Sequence, residues 1–186
     1  MKFRLHQDYP TTLARLWAAF GRADYPEKKY RALGSTAFRL LRFDASESLI
    51  EVDLERTAPV AVARLPAWAR PFIGEEQRLR HHTQWRRLSP TWVRADLDIV
   101  AVDLPLSAHA TGTAVEQSPD LTRMTFSFDV ACRLPGVGAA VARLFGEQVQ
   151  AALRADHAFT LRYLAQAGRP NPPGPPSLAG KGGEER

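Results

Sequence analysis

Apolar residues recur first at every second position, then at helical spacing, then at every second position again, and one long helical signal closes the pattern. Residues 3–9 alternate and read as a strand. Pro10 ends it, and Thr11 and Thr12 offer N-cap hydroxyls to a helix through about Phe20, with Leu13, Leu16, Trp17 and Phe20 on one side. Asp24 opens a second short helix that has Pro26 in its first turn and Gly34 just past its end. Residues 38–43 and 49–56 then read as extended. In the second of these, Ile50, Val52 and Leu54 alternate with Glu51, Asp53 and Glu55, which predicts a half-buried strand with a wet acidic face. Residues 44–48 make the turn between them. Residues 65–74 are apolar but interrupted by Pro66 and Pro71, which excludes a regular strand; a packed loop is preferred there over an apolar lid.

Four strands are predicted between Gln77 and Cys132. In the first pair, Leu79, His81, Thr83 and Trp85 oppose Arg78, Arg80, His82, Gln84 and Arg86, while Val93, Ala95, Leu97 and Ile99 oppose Arg94, Asp96 and Asp98. A two-residue turn at Ser89 and Pro90 would pair His81 with Asp98 and bring carboxylates beside Trp85 on the core face. A three-residue loop over 88–90 instead pairs Leu79 with Ile99, His81 with Leu97 and Trp85 with Val93, leaving Arg80 opposite Asp98 and His82 opposite Asp96 outside. A one-residue slip exchanges the faces of a strand, so the second register is preferred and His81 points inward. In the second pair, residues 107–117 are rich in small and hydroxylated side chains and Met124, Phe126, Phe128 and Val130 are bulky. A two-residue turn at Pro119 and Asp120 matches Glu116 with Arg123 outside and turns His109, Thr111 and Thr113 inward; a one-residue slip would bury Ala110 and Gly112. The first register is slightly favoured.

The final helix, residues 136–167, sets Val137, Val141, Leu144, Phe145, Val149, Ala152 and Leu153 on a stripe continued by Phe159, Tyr163 and Leu164, with Gln148 and Asp156 at its border. The predicted class is therefore α+β: a curved antiparallel sheet of about seven strands gripping a long C-terminal helix, with two short helices between strands one and two. At 186 residues the chain suits one domain, residues 1–167, and buries roughly 70% of its unfolded surface. The remaining segment, 168–186, has ten glycines and prolines among nineteen residues and reads as a disordered tail. Its run Pro172 to Pro176 is a possible polyproline II ligand for a protein partner.

Composition narrows the function. Cys132 is the single cysteine, so no intramolecular disulfide, paired redox site or cysteine-rich zinc site is expected. The first nine residues lack the apolar block of a secretory signal, and no stretch approaches eighteen apolar residues, so a cytoplasmic protein without membrane insertion is expected. Lys and Arg number 25 against 20 Asp and Glu, but the arginines are spread among alanine and proline, and no specific nucleic-acid footprint is read from them. Metal-ligand spacing is absent among the histidines, since His81 and His82 face opposite sides of one strand and His109 and His157 lack close sequence partners. No metal and no cofactor are expected. Gly136-Val137-Gly138 lacks the further glycine and the lysine of a phosphate loop, and no serine nucleophile elbow occurs.

The order strand, two short helices, six strands, long helix resembles the helix-grip fold of the START-like, birch-pollen-allergen-like (SRPBCC) superfamily over residues 1–167. Tyr9-Pro10-Thr11-Thr12 before Leu16-Trp17-Ala18-Ala19-Phe20, the segment Leu134-Pro135-Gly136-Val137-Gly138, and Asp156-His157-Ala158-Phe159 resemble an uncharacterised bacterial family within it. The resemblance implies a cavity between sheet and helix for lipids, sterols, polyketides or other apolar ligands. It does not by itself imply catalysis, since relatives include carriers, cyclases and chaperone-binding modules.

The expected function is thus binding or transport of a small apolar ligand in a cavity of roughly 300–1,000 Å³. Its expected walls are Phe38, Leu40, Ile50 and Val52 from the early strands, and Leu79, His81, Trp85, Leu97 and Ile99 from the middle hairpin. Phe126 and Phe128 on the last strand and Val141, Phe145 and Val149 on the helix complete the apolar wall. His81 or His109 is expected to orient one polar ligand group. Two alternatives stand beside this reading: an interaction module with a filled core, and a cofactor-free cyclase or hydrolase using His81 or His109 with Asp156 or His157.

Overall fold

The computed structural model describes residues 1–60, 63, 67, 70 and 73–167. The elements run β1 (Lys2–Tyr9), α1 (Leu13–Phe20), α2 (Tyr25–Ala32), β2 (Ala37–Ala45), β3 (Leu49–Pro59), β4 (Glu76–Ser89), β5 (Trp92–Ala101), β6 (Leu106–Ser118), β7 (Leu121–Cys132) and α3 (Gly138–Ala167). Every predicted strand and helix is present. The strands form one seven-stranded sheet in the order β1-β7-β6-β5-β4-β3-β2, antiparallel throughout, so the first strand returns beside the last. The segment 65–74 falls mostly outside the described residues, although Ile73 at its end is buried with the core. The tail 168–186 also lies outside them.

Alternation builds the two faces. Ile50, Val52 and Leu54 on β3 and Met124, Phe126, Phe128 and Val130 on β7 are buried against the helices. On the opposite face arginines meet carboxylates from neighbouring strands, Arg39 and Arg80 on Glu55 and Arg123 on Asp8, and Arg78 meets Asp103 in the β5–β6 connection. Arginines placed this way form cross-strand ladders with acids, not a continuous basic stripe.

Three bulges bend the sheet, at Leu40/Arg42, Arg87/Ser89 and Glu116/Ser118. Two of them alter the predicted registers. In the β4–β5 hairpin the turn is Pro90-Thr91, and Leu88 is the extra residue, half exposed at 50%. His81 therefore faces Ile99 where Leu97 was expected, His82 faces Asp98, and Trp85 faces Ala95, a small partner that leaves room for the indole. The shift is two residues, so the faces stay as predicted and His81 is buried.

In the β6–β7 hairpin the Pro119-Asp120 turn forms, but the bulge takes up one residue and the faces exchange. Ala108, Ala110, Gly112 and Ala114 point inward, opposite Val130, Phe128, Phe126 and Met124. His109 is turned outside, 56% exposed at its side chain, and bonded to Asp98 at 2.8 Å. Steric fit decides the outcome: a Cβ on Gly112 would lie 2.5 Å from two ring carbons of Phe126, so only a glycine leaves that ring its place. Glu116 does not pair with Arg123; its carboxylate accepts the Leu13 backbone N–H at 2.8 Å.

Helix α1 is capped by Thr12, whose hydroxyl accepts from the Arg15 backbone N–H at 3.2 Å. With Leu13 tied to β6 and the Trp17 indole N–H donating to the Ser46 carbonyl in the β2–β3 turn, α1 bridges opposite sides of the bent sheet. Helix α3 lies across the concave face and buries Val141, Leu144, Phe145, Val149 and Leu164. It starts two residues later than predicted because Gly136 has φ +70°, a left-handed conformation outside any right-handed helix.

Candidate functional site

Sheet and helix do not close completely on one another. A cavity of about 530 Å³ lies between α2, the end of β3, the middle of β4 and β5, and the central turns of α3. Leu79, Leu97, Ile99, Phe128, Phe145 and Val149 supply its apolar wall, and Ala151, Ala152 and Ala155 make a shelf of small side chains along α3. Pro59, Ala151 and Ala155 are exposed and Leu33 half-buried, which places the mouth between α2, β3 and α3. A deeper pocket of about 70 Å³ shares Lys29, Tyr30, Leu97, Leu153 and Asp156 with the main one and is lined by Ile50, Val52, Trp85 and Phe126. A third, about 30 Å³, includes Val141.

Of the fifteen residues expected to line the site, Leu79, His81, Leu97, Ile99, Phe128, Phe145 and Val149 line the main cavity, Ile50, Val52, Trp85 and Phe126 the deeper pocket and Val141 the third, and three line none of them. His109 is outside, as described. Leu40 points toward the concave side but sits on edge strand β2, 36% exposed, and lines none of these pockets. Phe38, on the same edge, instead stacks on Tyr30 with 6.1 Å between ring centroids.

The polar end of the cavity was largely missed. Arg56 continues the inward series Ile50, Val52, Leu54, at a place where alternation calls for an apolar side chain. Its Nε donates to His81 Nε2 at 2.9 Å, a terminal nitrogen reaches Ser35 Oγ at 3.4 Å, and the guanidinium lies 4.9 Å from the Tyr30 ring centroid. Arginine only donates, so His81 Nε2 must accept and the ring proton resides on Nδ1, 3.4 Å from the Tyr30 hydroxyl. Burial, and then the positive charges of Arg56 and Lys29, push the His81 pKa well below its ordinary value, so the ring is neutral. Lys29 meets Asp156 at 3.4 Å, with side chains 19% and 24% exposed. Burial works against its ammonium, but Asp156 and the Tyr30 ring outweigh it, and the Lys29 pKa is raised. Asp156 also stands beside Thr160, whose hydroxyl bonds Tyr25 Oη at 2.7 Å and the Asp156 carbonyl at 2.9 Å.

Of the acid–base partners suggested by the sequence, His81 and Asp156 line one cavity but each is bonded to another residue, and His109 and His157 lie outside it. His157 donates to the Asp8 backbone carbonyl at 2.8 Å and packs edge-on to Tyr9, so it orders β1 against α3. Asp156 reaches the cavity but is paired with Lys29. His82, which has no metal-spaced companion in sequence, lies across the strands from Asp53 at 2.7 Å and Glu51 at 4.0 Å on the outer face. Among the described residues these three form the one cluster with metal-ligand proximity, and Arg42 already occupies Glu51 at 3.2 Å.

A bent antiparallel sheet gripping a long C-terminal helix over such a cavity is a helix-grip fold. The chain belongs to the family described as protein of unknown function (DUF2505), whose model matches residues 4–164. The Zhui aromatase/cyclase from Streptomyces sp. R1128 has the same fold at 12% identity, with 91% of this chain and 96% of that one covered and a TM-score of 0.60. Human StAR-related lipid transfer protein 5 is 13% identical, with 90% and 77% covered and a TM-score of 0.55. A START superfamily protein from Mycobacterium smegmatis is 14% identical, with 89% and 98% covered and a TM-score of 0.50. A search of curated proteins finds no match.

Proposed function

We propose that the protein binds or carries a small hydrophobic ligand, lipid-, sterol- or polyketide-like in shape, in the cavity between the sheet and α3. The observation that carries this reading is the cavity itself: about 530 Å³ of space between sheet and helix, open at its mouth, with an apolar wall and one polar end. That volume is in the range of small-molecule sites and is large for a packed core, which tolerates few voids wider than a water. It speaks against the filled-core interaction module. The fold shared with a lipid transfer protein and an aromatase/cyclase supports the same reading. Acid–base turnover is less well supported, because the His81 lone pair is engaged by Arg56 and the ring is held neutral. No helix among the described residues is long and apolar enough to cross a membrane.

The neutral fluorophore N-phenyl-1-naphthylamine tests the reading. It should bind with one-to-one stoichiometry and a blue-shifted emission, and Ala152→Trp, which plants an indole on the alanine shelf, should abolish binding while leaving the unfolding transition cooperative. Equal binding by wild type and Ala152→Trp would place the fluorophore elsewhere and defeat the proposal.

A further inference from the structure

The charges at the polar end of the cavity do not balance. Lys29 and Asp156 cancel one another at 3.4 Å. Arg56 has only neutral partners: the His81 imidazole, the Ser35 hydroxyl and the face of Tyr30. Among the described residues no carboxylate stands within ion-pair distance of it. A guanidinium stays protonated even when desolvated, so a cation facing an apolar cavity without a counterion is left uncompensated. Burial lowers its pKa, and no carboxylate acts against that effect.

The hydrogen bonds show which donors are still available. Arg56 spends Nε on His81 and makes one long contact to Ser35, which leaves most of its terminal N–H donors unspent. Because the His81 proton sits on Nδ1, the Tyr30 oxygen receives it and the Tyr30 O–H proton is free. Arg56, Tyr30 and His81 all line the same cavity. A planar fork with one positive charge, flanked by a hydroxyl donor, matches a carboxylate in both geometry and charge. A phosphate dianion would overcompensate Arg56, the one unpaired cation among the described residues that line the cavity. Beyond the fork the wall is apolar, formed by Leu97, Ile99, Phe128 and Phe145.

We propose that the ligand is an amphiphilic monocarboxylate, a long-chain fatty acid or a molecule of the same build, with its carboxylate on Arg56 and Tyr30 and its chain between the sheet and the alanine shelf of α3. This rests on the cavity being a ligand site, and it adds the head group. Occupancy would complete a buried ion pair that the protein alone leaves half-made.

The test is displacement of bound N-phenyl-1-naphthylamine from the full-length protein by palmitic acid and by hexadecan-1-ol, which share a chain length and differ in the head group, at mildly alkaline pH. Palmitate should displace the fluorophore at a concentration about tenfold or more below that of the alcohol, the preference a charge-assisted pair supports. Arg56→Met should bring the two within about threefold of each other with the alcohol little changed. Tyr30→Phe should reduce the preference by a smaller factor. Equal displacement by acid and alcohol in the wild type overturns the head-group assignment and leaves the cavity reading standing. Failure of the fluorophore and both chains to bind overturns both. The wild-type comparison decides the matter even if Arg56→Met does not fold.

Discussion

Gly112→Ala reports on the face exchange that shaped the cavity, and its sign differs between the two registers of the β6–β7 hairpin. In the observed register Gly112 is inward and opposite Phe126. A methyl there would sit 2.5 Å from the Phe126 ring, where ordinary contact begins at 3.4 Å, so the ring must retreat by about 1 Å. Phe126 is 4% exposed, edge-on to Trp85 at 5.9 Å and tilted against Phe128 at 6.2 Å. It can yield only toward the inner pocket that it lines. Overpacking of this kind costs about 1–3 kcal/mol, and the lower chain entropy of unfolded alanine offsets about 0.4–1 kcal/mol of that. The net expectation is a loss centred on about 1.3 kcal/mol and reaching about 2.6 kcal/mol, or roughly 3–5 °C in Tm at the centre for a domain of this size. Urea unfolding followed by tryptophan fluorescence measures it. In the alternative register Gly112 would face solvent and alanine would stabilise the strand by about 0.4–1 kcal/mol. A raised midpoint would therefore refute the register and the origin assigned to the small-residue stripe. Phe126→Leu should relieve the cost of Gly112→Ala, a coupling expected only between residues in contact.

His81 gives a pH signature. Its folded pKa lies well below the value of 6.5 it has when unfolded, because of burial first and of Arg56 and Lys29 next. The unfolded chain thus takes up a proton that the folded chain refuses: stability is unaffected above about pH 6.5 and falls below it by up to about 1.4 kcal/mol per pH unit. His81→Gln should remove that part of the slope in urea midpoints measured between neutral pH and about pH 5; identical slopes would mean that the imidazole is not buried neutral. Thr12→Ala removes the hydroxyl that accepts the Arg15 N–H and should cost about 1 kcal/mol by the same assay, whereas Thr12→Ser should cost little. No loss with alanine would show that Glu116 alone secures the start of α1.

Where apolar periodicity and turn chemistry agreed, the fold was legible. Pro10 and Thr12 mark the entry to α1, Pro26 and Gly34 bound α2, and the alternation of Ile50, Val52 and Leu54 places β3 with its inner face. The hairpins were legible only up to their bulges. A bulge adds one residue that no turn signal announces; in β4–β5 the consequence was a two-residue shift that spared the faces, while in β6–β7 it exchanged them and moved His109 outside. Size complementarity carried the missing signal, since Ala110 and Gly112 match the bulk of Phe128 and Phe126.

The apolar wall of the site followed from the same periodicity. Its polar end did not, because Arg56 reads in sequence as the charged end of a strand, and Lys29 as one of several charges on a short helix. Only the bend of the sheet and the placement of α2 across it bring Lys29, Tyr30, Arg56, His81 and Asp156 to one cavity. Contacts between residues 25 to 127 positions apart hold that end together, and no local pattern encodes them.

The central claim is that the space between the sheet and α3 holds a small apolar molecule. Native mass spectrometry of freshly purified full-length protein, followed by solvent extraction and identification of what is released, addresses it directly. The account predicts a stoichiometric mass increment from a molecule with an apolar body, lost on extraction and not acquired by Ala152→Trp. An increment of the same size on Ala152→Trp, or no increment even after incubation with excess N-phenyl-1-naphthylamine, would contradict it.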